Sequence, residues 1–354
     1  MNSKKNNVGF LLLAALMAIT GFFLLRGQTV SSLLDALTGL KPGWLIVGLG
    51  LMFVFVGCEA LCSRIILAKL GHKPGYRRCL GYSFIGFYVS SITPSSSGGQ
   101  PAQIYQMTKD DIPAAHGTLN MMLIAVCFQV VSLAYAIAAF FLLGARRADM
   151  GKGLGYLLFY GAVVVTVLTV GMLTLMFLPN AAKKLTGFLL DLLTKLHIVK
   201  DKAKAEEKLA RQMEEYRAGA VCFQKNPVLL PVLLTITFVQ LTALFAVPYV
   251  VYLAFGLHGA SIIQVVGMQA IVSMAVGSLP LPGAMGAAEG GFVTAFALFF
   301  GAGLVTPAVL VSRGISFYSF LILSGIITLV VQWRTSHRTS KPQLRTGNLE
   351  AALN

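Results

Sequence analysis

Acidic residues are scarce in this chain. Its 354 residues hold 13 Asp or Glu against 28 Lys or Arg, and charged side chains make up only 12% of the total. A soluble protein of this length carries roughly twice that charged fraction, which argues against a water-soluble globular enzyme. Hydrophobic side chains supply 56% instead. Several apolar runs approach or exceed the ~18–20 residues that take a helix across a ~30 Å hydrocarbon core.

Signatures of catalysis and metal binding are also missing. The five cysteines, Cys58, Cys62, Cys79, Cys127 and Cys222, are scattered. The one close pair, Cys58 and Cys62, lies a helical turn apart inside an apolar run with no histidine beside it. Core filling explains that pair better than a metal site or a disulfide. Histidines 72, 116, 197, 258 and 337 all fall in expected loops or at span ends. There is no G-x-x-x-x-G-K-[ST] phosphate loop and no Ser–His–acid set. The acidic pair Asp110–Asp111 sits in a loop, where it caps or solvates. We expect no catalytic residue, no metal and no cofactor.

The net charge of +15 points to a membrane rather than to nucleic acid, because the basic residues fall between the apolar runs and at the ends. Full spans are expected at 8–25, 44–66, 117–143, 155–178, 228–255 and 304–331. The first follows a basic start and lacks a small-x-small cleavage site, so it reads as a retained span rather than a signal peptide. Two regions, 79–108 and 261–303, are too interrupted for simple spans. The expected fold is therefore an all-α polytopic membrane bundle of about six full spans plus two broken or re-entrant helical hairpins. The second region is open to a reading as two thin spans.

With that count, Lys4 and Lys5, the stretch from Arg64 to Arg78, residues 181–225 and the basic tail 334–354 share one side. The positive-inside rule makes that side cytoplasmic, and both termini with it; Arg146, Arg147 and Lys152 are exceptions. Within 181–199 apolar residues recur at helical spacing with lysines off the stripe. That pattern suits an interfacial helix on the inner leaflet or a cytoplasmic helix packed on the bundle.

The two broken regions match each other. TPSSSGGQP has Pro94 and Gly98 four apart, and LPGAMGAAE has Pro282 and Gly286 four apart. Each is followed by a polar side chain, Gln100 or Glu289, and then by a new helical stretch. By the span count the first hairpin enters from inside and the second from outside. Units of about 44–143 and 228–331 would then form an inverted repeat within a single domain, 1–333. In transporters that arrangement marks a midplane substrate site.

Irregular backbone inside a bilayer is tolerated only when buried in protein or lining a polar cavity. Pro94 is expected to end one helix, Gly98 and Gly99 to permit the tight turn, and Pro101 to suit the first turn of the next helix. That helix N-terminus, with Ser95, Ser96, Ser97 and Gln100, would favour an anionic group such as lipid phosphate. The expected headgroup site comprises Thr93, Pro94, Ser95, Ser96, Ser97, Gly98, Gly99, Gln100, Pro101 and Gln103 from the first break. From the second it takes Pro280, Pro282, Gly283, Gly286, Glu289 and Gly290, with Arg313 in the last span. Arg313 could hold a phosphate, and Glu289 could meet a cationic headgroup or take up a proton. Glu59 is a third intramembrane charge, read as a packing ion pair or a functional group. Each such charge costs ~2.5–3.5 kcal/mol at the bilayer centre even on the lenient insertion scale. Gln129, Gln240 and Gln269 are explained by interhelical hydrogen bonds.

TPSSSGGQPAQIY, LPLPGAMGAAEGG and Arg313 resemble the signatures of the transmembrane, flippase-type domain of lysylphosphatidylglycerol synthase, the multiple peptide resistance factor, across about 8–333. The resemblance implies a bacterial plasma-membrane protein that moves lipid between leaflets. The implied cargo is aminoacylated phosphatidylglycerol, and the implied benefit is resistance to cationic antimicrobial peptides. Many relatives have Glu where this chain has Gln100. The soluble lysyl-tRNA-using domain of the full synthase is not expected in the short tail after 333, so lysyl transfer itself is not expected. The partner is a membrane phospholipid, with a separate lipid-modifying enzyme as a further one, no nucleic acid, and an oligomeric state left open. The rival readings are a secondary transporter of a small anion and a membrane component of lipid-modifying machinery.

Overall fold

The structure, a computed structural model, describes residues 37–143, 151–177 and 226–339 apart from Pro280, with a few positions between 210 and 221. The expected first span, the interfacial stretch 181–199, Cys222 and the end of the tail lie outside the described residues. Every regular element among the described residues is helical. The helices are α1 (Pro42–Lys69), α2 (Tyr76–Ile92), α3 (Gly99–Lys109), α4 (Ala114–Leu142) and α5 (Gly151–Phe177). They continue with α6 (Leu229–Phe245), α7 (Val247–Ala254), α8 (Ile262–Gly277), α9 (Ala287–Arg313) and α10 (Ser319–Thr339).

Length and composition decide which of these cross a bilayer. Stretches Pro42–Lys69, Ala114–Leu142, Gly153–Leu175 and Leu229–Ala254 are long and apolar enough, and a fifth lies within Pro282–Trp333. Pro248, lacking an N–H near the start of α7, marks the join that divides Leu229–Ala254 into α6 and α7. The fifth stretch is not one rod: α9 is broken at Gly301, whose φ of 72° and ψ of 165° no helix contains. The final span therefore begins after Gly301, close to the expected 304.

The break at Gly301 also bounds the second interrupted region. Its arms are α8, 16 residues, and the part of α9 before Gly301, 287–300. At 1.5 Å per residue they reach roughly 24 Å and 21 Å, short of a ~30 Å core. Arms this short favour the reading as a hairpin over two thin spans. The first hairpin, α2 and α3, has arms of 17 and 11 residues. A capping box opens α8: Ser261 Oγ accepts from Gln264 N, and Gln264 Oε1 accepts from Ser261 N.

Packing pairs the elements in a regular way. The first spans of the two units, α1 and α6–α7, lie together. Hairpin arm α2 packs on α10, the last span of the second unit, and hairpin arm α8 packs on α4, the last span of the first. The two turns touch each other. Small residues permit these approaches: a Cβ on Gly161 of α5 would run into the Met274 carbonyl of α8, and one on Gly48 would press on Ile315. The largest buried cluster, including Met52, Phe84, Met268, Phe292, Phe296 and Phe320, joins both units. The four described cysteines are free thiols, three of them buried, in keeping with core filling.

Candidate functional site

The two breaks share one backbone design. Thr93 and Leu281, each preceding a proline, are extended at φ −111°, ψ 143° and φ −114°, ψ 136°, as the proline ring requires of its predecessor. Short 3₁₀ turns follow, Pro94–Ser96 and Pro282–Ala284. At the same offset in each, a non-glycine residue enters the left-handed region, Ser96 at φ 54° and Ala284 at φ 52°. Such residues are uncommon and belong where surrounding structure holds them.

The glycines of the first break act differently from the expectation. Gly98 has an ordinary helical φ of −83°, and the positive φ falls on Ser96 instead. Gly98 and Gly99 are there for closeness: a Cβ on Gly99 would collide with Ser90 Oγ and come within 2.7 Å of the Gly86 carbonyl oxygen, and one on Gly98 would meet Thr93 and Val89. Thr93 closes the turn, its Oγ1 accepting from Gly98 N at 3.0 Å and donating to the Val89 carbonyl at 2.8 Å. Ser97 Oγ donates to the Pro94 carbonyl, so these hydroxyls satisfy the turn's own backbone. In the second break the positive φ of Gly283 (56°) and Gly286 (80°) does serve the turn.

Glu289 and Arg313 meet at this second turn. Arg313 Nε donates to Glu289 Oε1 at 2.7 Å, and Nη2 donates to the Gly283 carbonyl at 2.9 Å. Glu289 Oε2 accepts from Gly286 N at 2.7 Å. The guanidinium lies 4.4 Å from the centre of the Phe317 ring, a cation–π contact. This ion pair therefore clamps an irregular backbone, supplying a donor and an acceptor that the bilayer cannot.

Between the breaks is a cavity of about 480 Å³. From the expected site it is lined by Ser96, Gln100, Gln103, Gly283 and Glu59. Thr93, Pro94, Gly98, Gly99, Pro282, Gly286, Glu289 and Arg313 shape or brace the turns without lining it, and Pro101 and Gly290, at the starts of the following helices, do not line it either. Pro280 and the Ser95 side chain lie outside the described residues. Residues that sequence reasoning did not assign also line it, among them Ser83, Gly86, Ser90, Ser91, Gln129 and Ser316. The SS pair at 90–91 adjoins the first break, and a helix-periodic reading of α2 would have placed Ser83 and Gly86 on the face of Ser90. Ser316 arrives through a π-helical segment, Gly314–Tyr318, a distortion frequent at functional sites.

The charge on the wall is not what an anion pocket would carry. Glu59 is the one ionisable group among the described lining residues. Among the described residues it has no basic partner; its Oε1 accepts from Gln103 Nε2 at 3.0 Å. Gln103 reaches it by lying over Gly86, where a side chain would displace the amide. Elsewhere, Gln129 accepts from Thr169 Oγ1 of α5, the interhelical bond expected of it. Gln269 bonds Ser273 within its own helix, because the α8 face it occupies offers a nearer partner one turn away. Asp110 caps α3 and accepts from Tyr82 Oη at 2.6 Å, a structural part like the one expected.

Fold and site together define a multi-pass helical membrane protein with two broken hairpins beside a cavity of mixed apolar and polar lining. Residues 8–324 match the family model described as the lysylphosphatidylglycerol synthase TM region. The chain belongs to that family. It is also similar to a UPF0104 membrane protein of Methanothermobacter thermautotrophicus, 26% identical over 135 residues, or 37% of each chain. The similarity thus spans little more than a third of that curated relative's length.

Proposed function

We propose that this protein is a flippase-like lipid translocase that carries a phospholipid headgroup between leaflets. The observation that carries the reading is the meeting of the two turns at one cavity that combines polar side chains with an apolar lining, inside a bundle whose outward residues, such as Ile46, Phe141, Val167 and Leu329, are exposed and apolar. The headgroup enters between the hairpins, contacting Ser96, Gln100, Gln103 and Gly283, while the tails stay in lipid. The remaining break residues and the Glu289–Arg313 clamp hold the two turns in place.

An inverted repeat supports alternating access of this cavity. The pairings α1 with α6–α7, α2 with α10, α8 with α4, and turn with turn are those that a two-fold axis relating the units demands. Rocking one unit against the other then changes the leaflet the cavity faces. By family membership the cargo is an aminoacylated phosphatidylglycerol made by a lipid-modifying enzyme, and its display opposes cationic antimicrobial peptides. In this reading the protein sits in a bacterial plasma membrane with both termini cytoplasmic.

Plugging the cavity tests the proposal. Gln100 is exposed at the cavity wall, so Gln100→Trp adds bulk without disturbing the core. In proteoliposomes with a fluorescent phospholipid, wild type should speed transfer over protein-free vesicles. Gln100→Trp should lower that gain about tenfold, the effect of roughly 1.4 kcal/mol on the barrier. Equal rates for the two proteins, or none above protein-free vesicles for wild type, would refute it.

A further inference from the structure

The cavity has a wall whose hydrogen-bonding capacity is unfilled. Glu59 is half-buried in that wall and accepts from one side-chain donor at hydrogen-bond distance, Gln103 Nε2 at 3.0 Å. Gln103 is 5% exposed and its Oε1 has no partner; Ser83 is 1% exposed and its Oγ faces the Glu59 carboxylate without closing a well-formed bond to it. All three residues line the cavity, from α1, α2 and α3. Buried polar atoms are nearly always satisfied, so two orphans beside a carboxylate call for a missing partner.

Charge says which kind. Among the described residues no Lys, Arg or His lines the cavity, and Arg313 is committed to Glu289 and Gly283. Cys58 and Cys62 flank Glu59 on its own helix, with Cys127 of α4 near Cys62. An anion would face an uncompensated carboxylate in a low-dielectric wall, an arrangement several kcal/mol unfavourable for a bare charge. A divalent ion is poorly matched as well, since hard dications take six or more oxygens and usually several carboxylates. One carboxylate with two neutral oxygens balances one positive charge.

We propose that Glu59, Ser83 and Gln103 form a binding site for one small monovalent cation on the cavity wall. Glu59 supplies the charge, and Ser83 Oγ and Gln103 Oε1 complete the oxygen shell. Gln103 ties the site to the first hairpin, because its amide rests on Gly86 and so reports occupancy to the α2–α3 contact. The cation arrives either free, as an alkali ion, or as the ammonium of a headgroup. The site uses the same cavity as the proposed translocation but does not require that lipid be moved.

Thermal unfolding of the full chain in detergent tests this at constant ionic strength, exchanging choline chloride for sodium chloride or for ethylammonium chloride. Choline is too large for the oxygen shell. A bound cation should raise the midpoint saturably by roughly 2–4 °C. Response to sodium assigns a free ion; response to ethylammonium alone assigns a headgroup amine. Glu59→Gln should abolish the shift. Ser83→Ala, which leaves the charge in place, should raise the half-saturating concentration roughly threefold to tenfold. No difference between any salt and choline, or the same shift in Glu59→Gln as in wild type, would overturn the site. Because no lipid moves in this assay, its failure leaves the translocation proposal standing, and a failed translocation assay leaves the site standing.

Discussion

Arg313→Met should be among the most damaging single changes in this protein, lowering stability by about 3–5 kcal/mol. The side chain it removes is the half-buried member of a clamp whose carboxylate is fully buried. Glu289 is 2% exposed at its side chain and its partner 16%. Without the guanidinium, the carboxylate keeps one donor, Gly286 N, and the Gly283 carbonyl loses its donor altogether. Phe317 loses the cation above its ring as well. Arg313→Lys should recover only part, since an ammonium cannot reproduce two directed bonds from one planar fork. Glu289→Gln combined with Arg313→Met removes the stranded charge, so the double variant should be more stable than Arg313→Met alone. Thermal unfolding of the four proteins as a double-mutant cycle measures the coupling. A coupling near zero would mean that the pair does not hold the second turn.

The five described spans and the two breaks were legible in the sequence because both are local signals. Apolar length sets the helices, and Pro94 and Pro282 fix extended residues before them and turns after them. The pairings were not legible. Arg313 and Glu289 each stood out as a charge in an apolar run, but their meeting 24 residues apart depends on the chain bending at Gly301. Nothing local distinguishes Gly301 from a glycine tolerated within a helix. The Glu59–Gln103 bond, across 44 residues, depends on a hairpin folding back onto α1. Its enabling residue, Gly86, looks like any small residue in a span. The role of Gly98 and Gly99 was misread for a related reason. A Gly-Gly pair after serines suggests a positive φ, and only tertiary contact shows that the pair is needed for approach.

That distinction yields a sharp contrast between two glycines eight residues from their respective breaks' prolines or closer. Gly99→Ala should destabilise by about 1–3 kcal/mol, the usual result of forcing a methyl into filled space. The added carbon would collide with Ser90 Oγ, which can rotate away, but also lies 2.7 Å from the Gly86 carbonyl oxygen, which cannot. Relief requires α2 and α3 to part. Parting them lifts Gln103 from Gly86 and away from Glu59, and it shifts Ser90 and Ser96, which are joined by a 3.3 Å bond at the cavity. Gly290→Ala, in α9 after the second break, has nothing within 4 Å of the new carbon. It should be neutral or stabilising by up to about 1 kcal/mol, since alanine narrows the unfolded ensemble and favours helix. Unfolding midpoints in one detergent compare the two directly. If Gly99→Ala were as benign as Gly290→Ala, the first hairpin would not be held shut by backbone contact. The cavity wall it builds would then have to be held by the side chains alone.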